Sequence, residues 1–397
     1  MGRNAGPGER EHGKAGEYGE SGEHRESGER GKGRVYGTDG AEAGRGGGAG
    51  SRPGGPPTVE TIAARAGVSI ASVSRVLNGR GARPGTITRV ERAAAELGYV
   101  ANAVARSLKD GRSMQLTFAM PDIGNPAYVS MVREIQAVMK PAGYRLLLHS
   151  TDAVVEDELA VLRSLADRTS DGLILCPIRI TPRHLEALGR AVRPVVVIGS
   201  LPDGAPHGPL VDSVRADSVT GAEAAVRHLV ETGRRRIAFV NGPADTVPGR
   251  HRALGYRTAL ESCGIELDPT LTVTTDFTVE AGAAALHGLL DARSDIDAVF
   301  CANDQLALGS SQTLHTRGLA VPGDVAVVGM DDTLLARAGW PPLTSVDLGS
   351  AERGRIAARM MLDRLREPAD APRAPARRET VMPRLIVRAS SAPAASI

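Results

Sequence analysis

The sequence predicts an all-α helix-turn-helix headpiece followed by an α/β core of parallel sheets. Three observations carry this prediction. Thr58 to Gly79, "TVETIAARAGVSIASVSRVLNG", sets two short helical patterns around one glycine. From about Ser113 onward, short apolar runs alternate with amphipathic helical patterns, the texture of parallel sheets covered by helices on both faces. The length, 397 residues, exceeds a single typical core, so two or three folding units plus tails are expected.

Residues 1–57 are about a third glycine interleaved with Glu, Arg, Ser and Pro, with almost nothing to bury, and are expected to be disordered. Acids and bases alternate there and largely cancel, which favours a bland extension or a misplaced start codon over a DNA-binding arm. Thr58 then reads as the N-cap of a first helix, with Val59, Ile62, Ala63 and Ala66 on one face. Gly67 suits the turn because it accepts positive φ without a Cβ clash. Ser69 caps a second helix with Val73, Val76 and Leu77 as its buried stripe. Its other face carries Ile70, Ala71, Ser72, Ser74, Arg75 and Asn78, a small, hydroxylic and basic surface without an acid. Such side chains can approach a phosphate backbone and a groove floor, whereas Asp or Glu would be repelled. A third helix follows in "TITRVERAAAELGY", with Ile87, Val90, Ala94 and Leu97 on one face and Thr86 as its candidate cap.

Overall charge is only +2, so any nucleic-acid footprint must be local. It is: Thr58 to Arg112 holds nine Arg or Lys against four Asp or Glu. Cys176, Cys263 and Cys301 have neither zinc-site nor disulfide-framework spacing, which fits a reducing cytoplasm. No apolar run approaches the roughly 20 residues of a membrane span and no signal-peptide core opens the chain, so a cytoplasmic protein without membrane contact is expected.

In the core, strands are expected at "QLTFAM", "YRLLLHS", "GLILCP", "PVVVIG", "PLVDSV", "RIAFVN", "DAVFCA" and "VAVVGM", with helices such as Tyr128 to Ala142, Thr220 to Thr232 and Gln305 to Thr316 between them. Open sheets of this kind bind ligands at the carboxyl ends of their strands. No G-x-x-x-x-G-K-[ST], H-E-x-x-H or G-x-S-x-G occurs, and the nine histidines form no ligand-spaced pair on a helix, so neither an enzyme nor a metal or cofactor is expected.

In order along the chain stand "AGVS", "VSRVLN", "ELGY", "NAVARSLK", "DGLIL", "RRIAFVNGP", "CANDQLALG", "VVGMDD" and "PPLTSV". In that combination the sequence resembles the lac-repressor (LacI/GalR) family of bacterial transcription regulators over nearly all of Thr58 to Arg388. The resemblance implies a helix-turn-helix domain at 58–101, a hinge helix and linker at 102–112, and a periplasmic-binding-protein-like (type I) core of two doubly wound lobes at 113–388, with a tail at 389–397. It sets the lobe crossings near Asp217, Val321 and Leu348, giving lobe 1 as about 113–216 and 321–348 and lobe 2 as about 217–320 and 349–388. It also implies a homodimer on a pseudo-palindromic double-stranded DNA operator, controlled by a small-molecule effector between the lobes. The end of the chain lacks a leucine heptad tail, so a tetramer is not expected. A transport protein of similar core would instead carry an export signal and no basic headpiece.

By the same resemblance Ser69, Ile70, Ala71, Ser74 and Arg75 lie at the groove, with Ile70, Ala71 and Arg75 at base-reading positions. Asn102 to Lys109 is too short to be a stable lone helix and should fold when docked. There Leu108, beside Ala105 and Lys109, matches the leucine that wedges into the minor groove, or else makes an ordinary linker contact. Ala101 stands where the family has proline, which leaves the entry to Asn102 less preorganised. The connection "GRGARPGT" is one residue short, with Arg83 as a phosphate-binding candidate. For the effector, Asp304 matches an acid that binds hydroxyls, Arg252 an arginine that forks onto the same ligand, and Phe277 a stacking aromatic, with Asn125, Tyr128 and Asp217 bordering the cleft. Asp304 as a helix cap and Arg252 as half of a surface ion pair are the alternatives. Gly199 and Ser200 replace the Asp-Arg pair of many sugar-binding members. Together with Thr246 and Pro248 near Arg252, they make the lobe surface larger and less acidic. A sugar or polyol-like metabolite is the expected effector, with a nucleobase or another small molecule left open.

Overall fold

The computed structural model describes residues 57–79, 81–99, 111–202, 208–368, 372 and 374–392. The candidates Ala101, Asn102, Ala105, Leu108 and Lys109, and the extension up to residue 56, lie outside the described residues. Two compact units are present, one built on residues 58–76 and 81–99 and one on the residues from 111 onward.

In the small unit Thr58 accepts from the Thr61 backbone and closes a capping box on α1 (Val59–Ala66). Gly67 ends α1 at φ 63°, a left-handed conformation that disfavours a Cβ. The Ser69 hydroxyl accepts from the Ser72 backbone N–H at 3.2 Å and opens α2 (Ile70–Leu77). α3 (Pro84–Glu96) begins three residues earlier than expected: Pro84 takes the first turn, where a missing N–H costs nothing, so Thr86 is inside the helix and does not cap it. Ile62, Ala63 and Ala66 of α1, Val73 of α2, and Val90 and Ala93 of α3 are buried. Val76, Leu77, Ile87, Ala94 and Leu97 are only half-buried, because so small a unit cannot enclose both sides of its helices.

The large unit holds two lobes. In lobe 1, β1 (Gln115–Met120), α4 (Pro126–Met139), β2 (Arg145–Ser150), α5 (Val155–Ser164), β3 (Gly172–Leu175), α6 (Pro182–Gly189), β4 (Val195–Ile198) and β5 (Val211–Ala216) follow one another. The chain crosses at Asp217 into lobe 2. There it forms α7 (Ser218–Glu231), β6 (Ile237–Asn241), α8 (Val247–Ser262), β7 (Thr272–Thr274), α9 (Val279–Ala292), β8 (Ala298–Cys301), α10 (Asp304–Thr316), β9 (Ala326–Met330), α11 (Leu334–Ala338) and β10 (Thr344–Asp347). At Leu348 it returns for α12 (Ser350–Arg366) and β11 (Arg378–Val381), then crosses a third time to β12 (Arg384–Ile386). The sheet orders are β11-β5-β4-β3-β1-β2 and β12-β10-β9-β8-β6-β7, all described pairs being parallel except β10 with β12.

This corrects the expected lobe boundaries. Residues 321–348 belong to lobe 2, since β9 pairs with β8 and Val321 packs on the lobe 2 core. Conversely α12 lies on α4 and on β3, β4 and β5, which places it in lobe 1. The third crossing is after Val381, not at Val321. The eight expected strands all form, while β7, β10, β11 and β12 come in addition.

β3 and β4, "GLIL" and "VVVI", are buried along their whole length, as parallel strands covered on both faces must be. Lobe 1 has one apolar cluster on each face of its sheet, whereas the lobe 2 core is continuous and centred on stacked Phe239, Phe300 and Tyr256. In both lobes the order reverses beside the first strand, β1 against β3 and β6 against β8, which creates a crevice at the carboxyl ends.

Candidate functional site

Two surfaces collect the expected residues, one in each unit. On the headpiece Ser69, Ile70, Ala71 and Arg75 are exposed on α2 and its entry, and Ser72, Ser74 and Asn78 are half-buried beside them. Ile70, 52% exposed, is a large apolar side chain at the start of a short helix, where no packing explains it. Arg83 is exposed at the N-cap position of α3 and makes no capping bond. No acid lies in the first turn of α2. Thr58 serves its capping box through the Thr61 backbone and hydroxyl.

The second surface is a cleft of about 370 Å³ between the two lobes, floored by residues that follow the strands: Asp122 after β1, Pro177 after β3, Ser200 after β4, Asn303 after β8 and Asp331 after β9. Asn125, Tyr128, Arg252 and Phe277 line it, four of the six residues expected there. Asn125 is at once the N-cap of α4, accepting from Ala127 N at 3.0 Å. Burial pushes the Tyr128 phenol well above its ordinary pKa, with the Cys176 thiol beside it acting in the same direction. That thiol, itself pushed up to about 12 by burial, is inert at neutral pH.

Arg252, 6% exposed, donates to the Ala302 carbonyl and reaches the Asp331 carboxylate at 3.4 Å, while its guanidinium lies 5.6 Å from the Phe277 ring centroid. The Phe277 ring exists in this position because residue 242 is glycine: a Cβ there would stand 2.0 Å from the ring. Asp331 has φ 106°, in the left-handed region that a non-glycine residue enters at a cost of order 1–3 kcal/mol, and Asp332 follows at φ 46°.

Two expected residues do other work. Asp304, 1% exposed, is absent from the lining and does not cap α10, whose N-cap is Asn303. Its carboxylate does accept two hydroxyls, but they are those of Thr333 at 2.8 Å and Ser345 at 2.6 Å, with the Thr333 N–H at 2.6 Å. It is a strut joining α10, α11 and β10. Burial, reinforced by the Asp331 charge, pushes its pKa up to about 7. Asp217 caps α7 through Thr220 N and Oγ1 and stands just outside the lining, between its lining neighbours Ala216 and Ser218.

Among the lining residues that escaped sequence reasoning, three bear directly on the charge of the cleft. Asp331 was visible as the first of the two acids that end "VVGMDD" after a strand. His251 lies next to Arg252; burial, with Arg250 and Arg215 adding to it, lowers its pKa and leaves it neutral at pH 7. Arg353 enters from the first turn of α12, and no spacing in the sequence shows that α12 returns to lobe 1. Among the described residues no group of acids, histidines and cysteines could hold a metal ion, and no helix is long and apolar enough to cross a membrane.

Residues 58–102 match a family model described as bacterial regulatory proteins, lacI family, and residues 226–391 match one for the periplasmic binding protein-like domain. The chain is 37% identical over 315 residues to the HTH-type transcriptional regulator CelR of Thermobifida fusca, covering 78% of this chain and 92% of that protein. It is 32% identical to the ribose operon repressor of Escherichia coli, over 78% of this chain and 94% of that one. Among solved structures it resembles a transcriptional regulator CelR–cellobiose complex, with TM-score 0.63 and 35% identity over 84% of this chain and 99% of that chain. It also resembles the lac repressor dimer bound to operator and the anti-inducer ONPF, with TM-score 0.74 and 25% identity over 85% of this chain and 99% of that chain.

Proposed function

Since the chain belongs to the lacI family of bacterial regulatory proteins, and is therefore a DNA-binding transcriptional regulator and not an enzyme, we propose that it is a repressor. In this reading it binds a pseudo-palindromic operator as a homodimer and answers to a sugar-like effector in the inter-lobe cleft. The observation that carries the DNA half is the exposed, acid-free face of α2, with Ile70, Ala71 and Arg75 presented to solvent. Arg75 reads a base edge, Ser69, Ser72 and Ser74 position the helix on phosphates, and Arg83 adds a backbone contact. Asn102, Ala105, Leu108 and Lys109 form the hinge contacts, Leu108 as the wedge.

The effector half is supported by the cleft's position at both switch points, by the Arg252–Phe277 pair within it, and by relatives that include a cellobiose complex and a ribose operon repressor. An effector bound by both lobes shifts DNA affinity only as far as its affinities for the two lobe arrangements differ. Dimerisation finds support in the apolar side chains exposed on α4 and on the edge strand β2, Val129, Leu147 and Leu148, which a monomer would leave in water.

The test is a gel shift with the full chain on duplex DNA from upstream of its own gene, with and without candidate sugars. Arg75→Ala is expected to narrow the gap between operator and random DNA by about 1–3 kcal/mol. An unchanged gap would remove Arg75 from the reading face. Sequence-blind binding by the unaltered chain, whatever sugar is added, would defeat the proposal.

A further inference from the structure

We propose that the molecule held in the cleft carries an oxyanion, a carboxylate or a phosphate on a small polyol, and that Arg353 of lobe 1 receives it jointly with Arg252 of lobe 2. This inference rests on the cleft being the effector site and names the chemical class of the effector.

Six ionic side chains line the cleft. Asp122, Asp152 and Arg215 are exposed and locally engaged: Asp122 accepts from Gly124 N at 2.7 Å, Asp152 from the Ser150 hydroxyl at 2.9 Å, and Arg215 donates to the Thr380 hydroxyl at 3.1 Å. Of the other three, Arg252 is buried and Arg353 and Asp331 are half-buried. Two guanidiniums therefore meet one carboxylate in the lining; Asp304 behind it also acts on Arg252, but burial pushes its pKa up to about 7, so it carries only part of a charge at neutral pH. Both act on Asp331, yet only Arg252 forms an ion pair with it, and a long one at 3.4 Å. Arg353 forms no ion pair among the described residues; the one hydrogen bond described for its side chain goes to the Ser350 hydroxyl at 3.1 Å. His251 is neutral at pH 7 and does not change the balance.

The hydrogen-bonding inventory reaches the same result independently. The Nε atoms of Arg252 and of Arg353 are both buried and both without a partner. A buried donor left unpaired costs about 1–3 kcal/mol, and a buried charge left unbalanced costs more. A neutral sugar could accept from the two N–H groups but would leave the extra positive charge unanswered. An oxyanion answers both, because a guanidinium edge offers two parallel donors spaced for a carboxylate or a phosphate. The two arginines come from opposite lobes, so the anion would also tie the lobes together. Phe277 beside Arg252 supplies a flat face for a ring on the same ligand.

Thermal unfolding and calorimetric titration of the full chain with glucose, glucuronate and glucose 6-phosphate test this, in the unaltered protein and in Arg353→Met, Arg353→Lys and Arg252→Met. At least one acid is expected to bind about tenfold or more tightly than glucose, a margin Arg353→Met removes and Arg353→Lys partly restores. Glucuronate or glucose 6-phosphate leading the series distinguishes a carboxylate from a phosphate. Without any ligand, Arg353→Met is expected to raise Tm, because it removes the unbalanced charge. The proposal is overturned if glucose binds as tightly as the better-bound of the two acids, or if no acid binds and Arg353→Met leaves Tm unchanged or lower. Should an acid bind with an affinity that Arg252→Met and Arg353→Met both leave intact, the ligand sits elsewhere, and the cleft reading falls with this one.

Discussion

The two lobes share one strand order and one internal device, yet they treat buried charge in opposite ways. In each lobe an aspartate just before the lobe's third strand along the chain, β3 or β8, clamps the segment leading into a neighbouring strand: Asp171 accepts from Ser113 N and Met114 N at 2.8 and 2.9 Å, and Asp297 from Arg235 N and Arg236 N at 2.7 and 3.0 Å. Beyond that clamp the lobes diverge. Lobe 1 closes its buried charges on one another. Arg364, 2% exposed, forks onto Asp212 at 2.7 and 3.0 Å, Arg377 adds bonds to the same carboxylate, and His184 meets Glu158 at 2.8 Å. Lobe 2 gathers its own at the carboxyl ends of its strands, where Arg252 is incompletely paired and Asp331 sits in a strained backbone. Saturated charges hold a fold, and unsaturated ones await a ligand. Arg353, the lobe 1 charge that is left unsaturated, stands at the cleft, which fits the same rule.

The largest effect that could break this contrast is in lobe 1. Arg364→Met should destabilise the chain by about 3–5 kcal/mol in urea, because Asp212 is left buried with only Arg377 beside it. Adding Asp212→Leu should recover part of the loss, since an apolar pair of similar volume needs no counter-charge. A loss below about 1 kcal/mol for the single variant would mean that the pair is not what joins β5 to α12.

The pH dependence of the two lobes should have opposite signs. Burial alone would raise the pKa of Asp212, but the hydrogen bonds from Arg364 and Arg377 outweigh it and hold the carboxyl below its ordinary value. Its contribution is therefore present above the usual carboxylate range and is lost as pH falls through the folded-state value. Asp304 is the reverse. Its folded pKa of about 7 lets the native state keep a proton that the unfolded chain releases near pH 4, so stability declines as pH rises between those values. Asp331 is raised by burial too and acts in the same sense. Asp304→Asn should flatten that decline and cost about 1–3 kcal/mol through the lost acceptor toward Thr333 or Ser345. A urea midpoint that keeps the wild-type slope between pH 4 and 7 would show that Asp304 is not the group responsible.

How much of this was legible in the residues differs between the headpiece, the sheets and the cleft. Local signals were enough where local physics decides: the Thr58 cap, the Gly67 turn and the fully apolar runs of β3 and β4. The short strands β7, β10, β11 and β12 carry three or four residues each and little periodicity, so only pairing reveals them. Asp304 marks where local chemistry stops being enough. An acid able to accept two hydroxyls follows from its position after β8, but whether those hydroxyls belong to a ligand or to Thr333 and Ser345 depends on residues about 30 and 40 positions away. Arg353 was hidden for a related reason. Its access to the cleft depends on α12 crossing back to lobe 1, and the expected boundaries had put that helix in lobe 2.

The finest contrast lies in two glycines that stand just after strands on either side of the cleft. Gly242 follows β6 in lobe 2, and a methyl group there would meet the Phe277 ring at 2.0 to 2.6 Å. Gly199 follows β4 in lobe 1, and its nearest atom would be the Pro177 carbonyl oxygen at 3.5 Å, an ordinary contact. Neither substitution opens a cavity or strands a buried polar group, so Gly199→Ala should change stability by less than about 0.5 kcal/mol and leave ligand affinity as it is. Gly242→Ala must turn the Phe277 ring away from the position it holds beside Arg252. The loss of that cation–π contact, about 0.5–2 kcal/mol, should appear in ligand titration more than in urea. If the two alanines behave alike in titration, the lobe 2 wall is not the more finely shaped side of the cleft, and the division between a structural lobe and a recognising lobe must be redrawn.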